Sequence, residues 1–295
     1  MNKSIASENH QELCAALAIR PDERVLEVGG GHNPVFRADV VVDIDFDRGL
    51  HRDGQSLAIS PSGQCLVLGD LTALPFSDQA FDVVLCLHVL EHVPDPAAAC
   101  RELMRVARRG FLETPRKWTE YYAGHPTHLW LIDDPGGVLI FEPLPGDDFP
   151  FRNFALPILW TEPPIKEQVS AFRRDIPCVQ LYWEGEFSFQ IVGPAIVPDV
   201  GQLARRHYNF CRNLLRRLVP PARVIFHAQT AAELEPGNEE YQRLYTFLLL
   251  VDGQWRRAWR REAIGSLFWQ GLIYRGAAFL VRLGRKLSRC LPVVR

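Results

Sequence analysis

The run Val25-Leu26-Glu27-Val28-Gly29-Gly30-Gly31-His32-Asn33-Pro34 joins a short strand to a glycine turn. Val25 to Val28 read as a buried strand, with an acid, Glu27, near its end. The glycines let the backbone turn sharply and lie close to a ligand, because no Cβ intervenes and φ > 0 is open to them. An acid and a glycine turn where a strand ends point to a nucleotide-type site at the carboxyl edge of a parallel sheet.

Two phosphate-binding readings fail. The dinucleotide pattern G-x-G-x-x-G finds its first two positions in Gly29 and Gly31, but Pro34 stands at the third. Proline lacks the N–H and blocks close helix–strand packing. The next strand-end acid, Asp43, comes 12 residues after Gly31, against roughly 20 in the dinucleotide pattern. No Gly-Lys-Ser/Thr follows, so a P-loop is excluded. The remaining ligand has a ribose and a charged, amino-acid-like end but no phosphates.

Further strands are predicted at 38–45 (ADVVVDID), 65–70 (CLVLGD) and 81–89 (FDVVLCLHV), the first two ending in acids. A carboxylate there suits the two vicinal hydroxyls of a ribose. The apolar run 81–89 is expected of a strand covered on both faces. A helix is predicted at 97–107, with Leu103, Met104 and Ala107 inward and Gly110 ending it; Phe111-Leu112 begins a fifth strand. Strand and helix alternating at short intervals mark a doubly wound α/β sheet.

Residues 25–31 (VLEVGGG), Asp43, 69–76 (GDLTALPF), 81–96 (FDVVLCLHVLEHVPDP), 102–110 (ELMRVARRG) and 111–115 (FLETP) together resemble the class I S-adenosylmethionine-dependent methyltransferases of the type 11 group. The resemblance covers roughly residues 20 to 130, and His32-Asn33-Pro34 departs from the commoner third glycine. It implies a Rossmann-like, seven-stranded sheet whose last strand is antiparallel, and S-adenosylmethionine as cofactor. Glu27, Gly29 and Gly31 would then hold the methionine end. Asp43 would take the ribose, with Asp45 and Asp47 as rivals, and Ile44 would pack on the adenine. Asp70 and the Leu71 backbone would meet the adenine edge, and Leu87 and His88 would line the methyl-transfer face. The alternative for Asp43 and Asp70 is a solvated turn residue.

A sulfonium is already a strong methyl donor, so such a site mainly aligns the acceptor for in-line displacement and excludes water. A hydroxyl acceptor calls for a base, and histidine suits neutral pH. His88 and His128 are therefore the candidate catalytic residues. His92 is expected to be buried and bonded at the start of the following helix. His32 would reach the methionine carboxylate or cap the turn. The H-x-x-H spacing of His125 and His128 suits a metal, but Pro126 prevents a helix there and no third ligand is apparent, so no metal is expected. Thr114 is a candidate donor to the acceptor, and Tyr121, Tyr122 and Trp130 offer either ring-stacking surface or ordinary core.

The 295 residues suffice for one large domain with an addition. Seven cysteines without a C-x-x-C read as thiols of a reducing compartment, and the N-terminus lacks the apolar run of a signal peptide. A cytoplasmic protein is expected. A short helix over residues 8–19 would lie on the sheet and lid the cofactor. Twelve of the 22 prolines fall between Pro115 and Pro198, marking a loop-rich acceptor region at 113–177. A hairpin of 178–183 and 187–192 is expected to supply the last two strands, with 138–141 as a rival for the sixth. Residues 1–200 would form the methyltransferase domain and 201–295 a helical, basic C-terminal extension. Residues 255–295 carry ten Lys or Arg against one acid, a net of +9, so the remainder bears −11 of the total −2. That tail reads equally as an interfacial helix for anionic lipid at the inner membrane face or as a helix packed on protein. Nucleic-acid binding lacks a motif. The expected activity is methyl transfer to a small-molecule, sugar or lipid-linked acceptor; the competing reading is a non-catalytic protein that binds a partner or membrane through its tail.

Overall fold

The computed structural model describes residues 9–46, 49, 51, 54–56, 58, 63–145, 178–194, 197–216, 219, 221–254 and 257–258. The chain divides into two compact units, residues 1–197 and 198–295. The first opens with α1 (His10–Ala16), capped by the Asn9 side chain, which accepts from the Glu12 N–H at 3.1 Å. There follow β1 (Val25–Val28), β2 (Val40–Asp43), β3 (Cys65–Leu68), β4 (Phe81–Leu87), α2 (Pro96–Val106), β5 (Ala107–Pro115), α3 (Lys117–Ala123), β6 (Trp130–Asp133), β7 (Leu139–Pro143), β8 (Cys178–Glu184) and β9 (Phe189–Ile191).

Six strands form one sheet in the order β3-β2-β1-β4-β5-β8, parallel throughout except that β8 runs antiparallel to β5. Alternate residues serve opposite faces. Leu26, Val28, Val84, Cys86 and Leu112 join Ala99, Cys100 and Leu103 of α2 in one apolar cluster, whereas Val25, Val41, Val83, Leu85 and Leu87 pack with Leu13 of α1 in another. Both faces are therefore covered, the condition that lets a parallel sheet be apolar along its whole length.

Three expectations need correction. Among the described residues the main sheet has six strands rather than seven. The expected hairpin parts instead: β8 joins β5, while β9 pairs in parallel with β7 in a second sheet of order β6-β7-β9. The 138–141 segment is indeed a strand, β7, but of that second sheet. Helix α2 stops at Val106, and Gly110 lies within β5. The reason is packing: a Cβ at Gly110 would stand 2.7 Å from Trp183 Cζ2 and 2.8 Å from Val84 Cγ1, so the glycine makes room for the buried indole across the antiparallel pair.

The second unit contains α4 (Val200–Arg216), α5 (Pro221–Leu234) and α6 (Glu239–Val251). Pro221 opens α5, where its missing N–H costs nothing. Asn238 caps α6 by accepting from Glu240 and Tyr241 N–H groups. Leu214, Val224, Ala231 and Leu248 are fully buried in this unit. The basic tail lies outside the described residues apart from Arg257 and Ala258, as does most of the acceptor region after residue 145. No helix among the described residues is long and apolar enough to cross a membrane.

Gly110→Ala should destabilise the fold by about 1–3 kcal/mol through overpacking, read as a lower midpoint in chemical denaturation; an unchanged midpoint would contradict the packing role.

Candidate functional site

The parallel register brings the carboxyl ends of β1, β2, β4 and β5 to one edge of the sheet. Glu27 pairs with Val41 and Leu85, Asp43 with Leu68, and Leu87 with Glu113. At that edge Gly29 and Gly31 adopt φ of 70° and 55°, the left-handed region that favours glycine. The Gly29 N–H donates to the Val42 carbonyl at 2.8 Å. A Cβ on Gly29 would lie 2.4 Å from Val89 Cγ2, and one on Gly30 would lie 2.8 Å from Val41 Cγ1 and 3.1 Å from Glu27 Oε2. Glycine is required in the turn because Val89, Val41 and Glu27 already occupy the space a Cβ would take.

Glu27 is buried, and its Oε2 accepts from the Val35 N–H at 2.7 Å. Burial pushes its carboxyl up to about 8, against the opposing Val35 hydrogen bond and with help from the Asp43 charge. A carboxyl this poorly solvated gains from a cation placed beside it. Asp43 is buried at the end of β2, with Oδ1 accepting from the Asp45 N–H at 3.2 Å. Beside it Ile44 and Leu68 are 60% and 62% exposed, an apolar surface at two adjacent strand ends. Asp45 is half-buried, and Asp47 lies outside the described residues. His32 is exposed beside the turn.

Asp70 forms an Asx turn: its Oδ1 accepts from both the N–H and the hydroxyl of Thr72 at 2.8 Å. The segment that carries it is tied to α2. Glu102 Oε2 accepts from the Leu74 N–H at 2.6 Å, and Arg105 donates to the Leu74 and Phe76 carbonyls and to Glu102. Sequence reasoning missed this positioning role, although the pair lies inside ELMRVARRG. The Leu71 and Leu87 side chains are both buried. Leu71 is left only its backbone to offer, and Leu87 packs in the core with Val83 and Leu85 rather than lining the site.

His88 steps out of β4 with φ +57°, a strained conformation for a residue with a Cβ, and its N–H donates to the Glu113 carbonyl at 2.7 Å. Its Nε2 meets Glu113 Oε1 at 3.2 Å, and its Nδ1 stands 3.5 Å from Glu91 Oε1. Gln180 holds the other Glu113 oxygen at 2.5 Å. Burial disfavours the imidazolium, but bonds to Cys178, Glu113 and Glu91 outweigh it and raise the His88 pKa well above its ordinary value. Those bonds favour the charged ring over the neutral one that a general base needs. Thr114 donates to Glu91 Oε2 at 2.9 Å and is fully buried, so it serves Glu91 and not an acceptor.

His92 does not cap the following helix, whose cap is Asp95 accepting from the Ala98 N–H at 2.9 Å. It joins a group of imidazoles. Its ring centroid lies 4.6 Å from those of His51 and His128 and 6.2 Å from that of His125. Its Nδ1 meets Thr127 Oγ1 at 3.0 Å and His51 Nδ1 at 3.1 Å. Burial, then the neighbouring His128, His51 and His125, hold its pKa well below the ordinary value. His128 Nδ1 meets Glu120 Oε1 at 2.6 Å. Hydrogen bonds from the Leu129 N–H to the Glu91 carbonyl and from Trp130 Nε1 to the Val93 carbonyl, both 2.8 Å, lock the 125–130 loop to the turn after β4. Trp130 is therefore core. Tyr121 is half-buried, its ring 5.7 Å from that of the exposed Trp118, and the Tyr122 side chain lies outside the described residues. Two sets of ligand-type atoms fall within 4.8 Å of one another: His88, Glu113 and Cys178, and Glu91, His92 and His128. His128 is thus joined by Glu91 and His92, 37 and 36 positions away in the chain, while His125 is in neither set.

Residues 26–112 match the family model described as a methyltransferase domain. A demethylmenaquinone methyltransferase of Mycobacterium sp. (strain KMS) is 35% identical over 106 residues, 34% of this chain and 44% of that protein. A cycloartenol-C-24-methyltransferase 1 of Oryza sativa subsp. japonica is 29% identical over 146 residues, 45% of this chain and 42% of that protein. A solved SAM-dependent methyltransferase of Methanosarcina mazei shares 18% identity at a TM-score of 0.27, over 35% of this chain and 57% of that one, too slight a likeness to argue from. The chain spans less than half the length of these two curated relatives. Residues 26–112 thus carry the match to a methyltransferase domain, in the part of the chain that holds β1 to β4 and α2.

Because the Glu27 carboxyl titrates near 8 in the fold and near its ordinary 4.5 when unfolded, the folded chain holds the extra proton between those values. The associated stability is complete below pH 4.5 and is lost as pH rises through 8. Glu27→Gln should flatten the fall in thermal midpoint between pH 5 and pH 8; an equally steep fall in the variant would rule out Glu27 as its source.

Proposed function

We propose that this protein transfers a methyl group from S-adenosylmethionine to a small-molecule or lipid acceptor. The observation that carries the reading is the carboxyl edge of β1 and β2: the buried Glu27 carboxyl beside a tightly packed glycine turn, next to Asp43 and the exposed apolar surface of Ile44 and Leu68. These residues fit the parts of the cofactor. Glu27 offers a cation-seeking carboxyl to the methionine amino group, with Gly29 and Gly31 giving it room. Asp43 accepts from the ribose hydroxyls, and Ile44 and Leu68 cover the adenine. Asp70 serves chiefly to shape the turn that bounds the adenine, and the Leu71 backbone meets the ring edge.

When bound, the cofactor supplies a methyl group on a sulfonium. The chain's own part is alignment and exclusion of water. His88, clamped through both ring nitrogens by Glu113 and Glu91, sets a positive charge at the end of β4 and donates to those carboxylates rather than to an acceptor. The imidazoles around His128 form the acceptor side. The relatives named for demethylmenaquinone and cycloartenol support a non-polymeric acceptor.

Calorimetric titration with S-adenosylmethionine should show binding. Asp43→Ala should weaken it roughly 10- to 100-fold, from about 1.5–3 kcal/mol for hydrogen bonds to a charged group, while His128→Ala leaves it nearly unchanged. No heat with the unaltered protein, or equal losses in both variants, would sink the assignment.

A further inference from the structure

We infer that Glu91, His92 and His128 form a binding site for one divalent first-row transition-metal ion on the acceptor side of the sheet edge. Each residue brings a ligand-type atom within 4.8 Å of the others. Two imidazoles and one carboxylate form a donor set of the kind that holds zinc or ferrous ion, with the remaining positions open to water or substrate.

A second, independent observation points into the same place. Glu91 is 1% exposed, and its Oε1 has no hydrogen-bond partner. Its Oε2 takes the Thr114 hydroxyl, so one oxygen is anchored and the other is left with only the His88 ring at 3.5 Å. The His88 ring offsets the charge of that oxygen without giving it a hydrogen bond, and a metal ion would supply the directed partner it lacks.

The surroundings match those of metal-bound histidines. With Glu120 holding His128 Nδ1 at 2.6 Å, the neutral ring carries its proton on that nitrogen and its lone pair on Nε2. His92 Nδ1 likewise meets Thr127 Oγ1, which directs Nε2 as the second donor. The loop and the turn that carry these residues are pinned to each other by the Leu129 and Trp130 hydrogen bonds, so the three donors stand on a fixed frame. The other set, His88, Glu113 and Cys178, is already a closed polar network: His88 is engaged by both Glu113 and Glu91, and Glu113 by Gln180.

An ion at Glu91 would sit one residue past the end of the His88 turn and bind an acceptor through oxygen, a consequence that rests on the methyl-transfer reading. The ion itself does not. The test is therefore direct. Full-chain protein stripped with chelator and dialysed is titrated with Co²⁺ alone, following the visible d–d bands, with Zn²⁺ as competitor and circular dichroism as the check on folding. The expected result is one equivalent per chain, displaced by Zn²⁺, lost in His92→Ala and in His128→Ala. The isosteric Glu120→Gln should bind about 10- to 100-fold more weakly, as for loss of an outer-shell carboxylate, and it keeps the test decisive if an alanine variant fails to fold. Cys178→Ala should bind as the unaltered protein does. No Co²⁺ uptake, uptake untouched by the His92, His128 and Glu120 changes, or a thiolate-to-cobalt charge-transfer band lost in Cys178→Ala would each overturn the inference.

Discussion

The parallel register of β2, β1, β4 and β5 is the constraint from which the site follows. Parallel neighbours end in the same direction, so pairing Glu27 with Val41 and Leu85, and Leu87 with Glu113, makes every strand release its chain at one edge. Gly29, Ile44, His88 and Arg116 are the first residues past those exits. A shift of one residue in any pair would turn Glu27 or Asp43 from the edge into the opposite face. The register is held because both faces are apolar: Leu26, Val84 and Leu112 pack against α2 while Val25, Val83 and Leu85 pack toward α1.

Along that edge the buried ionisable groups divide into two electrostatic regimes. On the β1–β2 side Glu27 stands with one backbone hydrogen bond and no cation, so burial dominates and its carboxyl titrates near 8. On the β4–β5 side Glu91 is as deeply buried and His88 partly so, yet each favours the other's charged form: the imidazolium lowers the Glu91 pKa despite desolvation, and the carboxylates raise that of His88. The same physical penalty thus yields a neutral acid beside the glycine turn and a mutually stabilised charge pair past the end of β4.

The β1–β2 edge was legible because its residues are local in sequence. Strand, glycine turn and strand-end acid each occupy a few consecutive positions, and their types follow from backbone conformation and hydrogen bonding. The strand at residues 25–28 matches its sequence reading for the same reason: a short apolar run ended by a glycine turn. Gly110 misled because a glycine that ends a helix and a glycine that admits a tryptophan are the same letter. The parting of β8 and β9 was hidden because two alternating runs around a Gly turn read as a hairpin whichever sheets they join. Thr114 and Trp130 looked available for an acceptor because the partners that bury them, Glu91 and the Val93 carbonyl, lie 23 and 37 positions away.

Apolar periodicity, glycine placement and strand-end acids specify an α/β sheet with a methyl-donor type of edge, since these are properties of short stretches governed by backbone sterics and burial. Tertiary packing alone gathers His51, His92, His125 and His128, sets Glu120 behind His128, and leaves one oxygen of Glu91 without a hydrogen bond. Those contacts depend on distances across the fold, and the cost of burying an ionised group depends on which atoms surround it in space rather than along the chain.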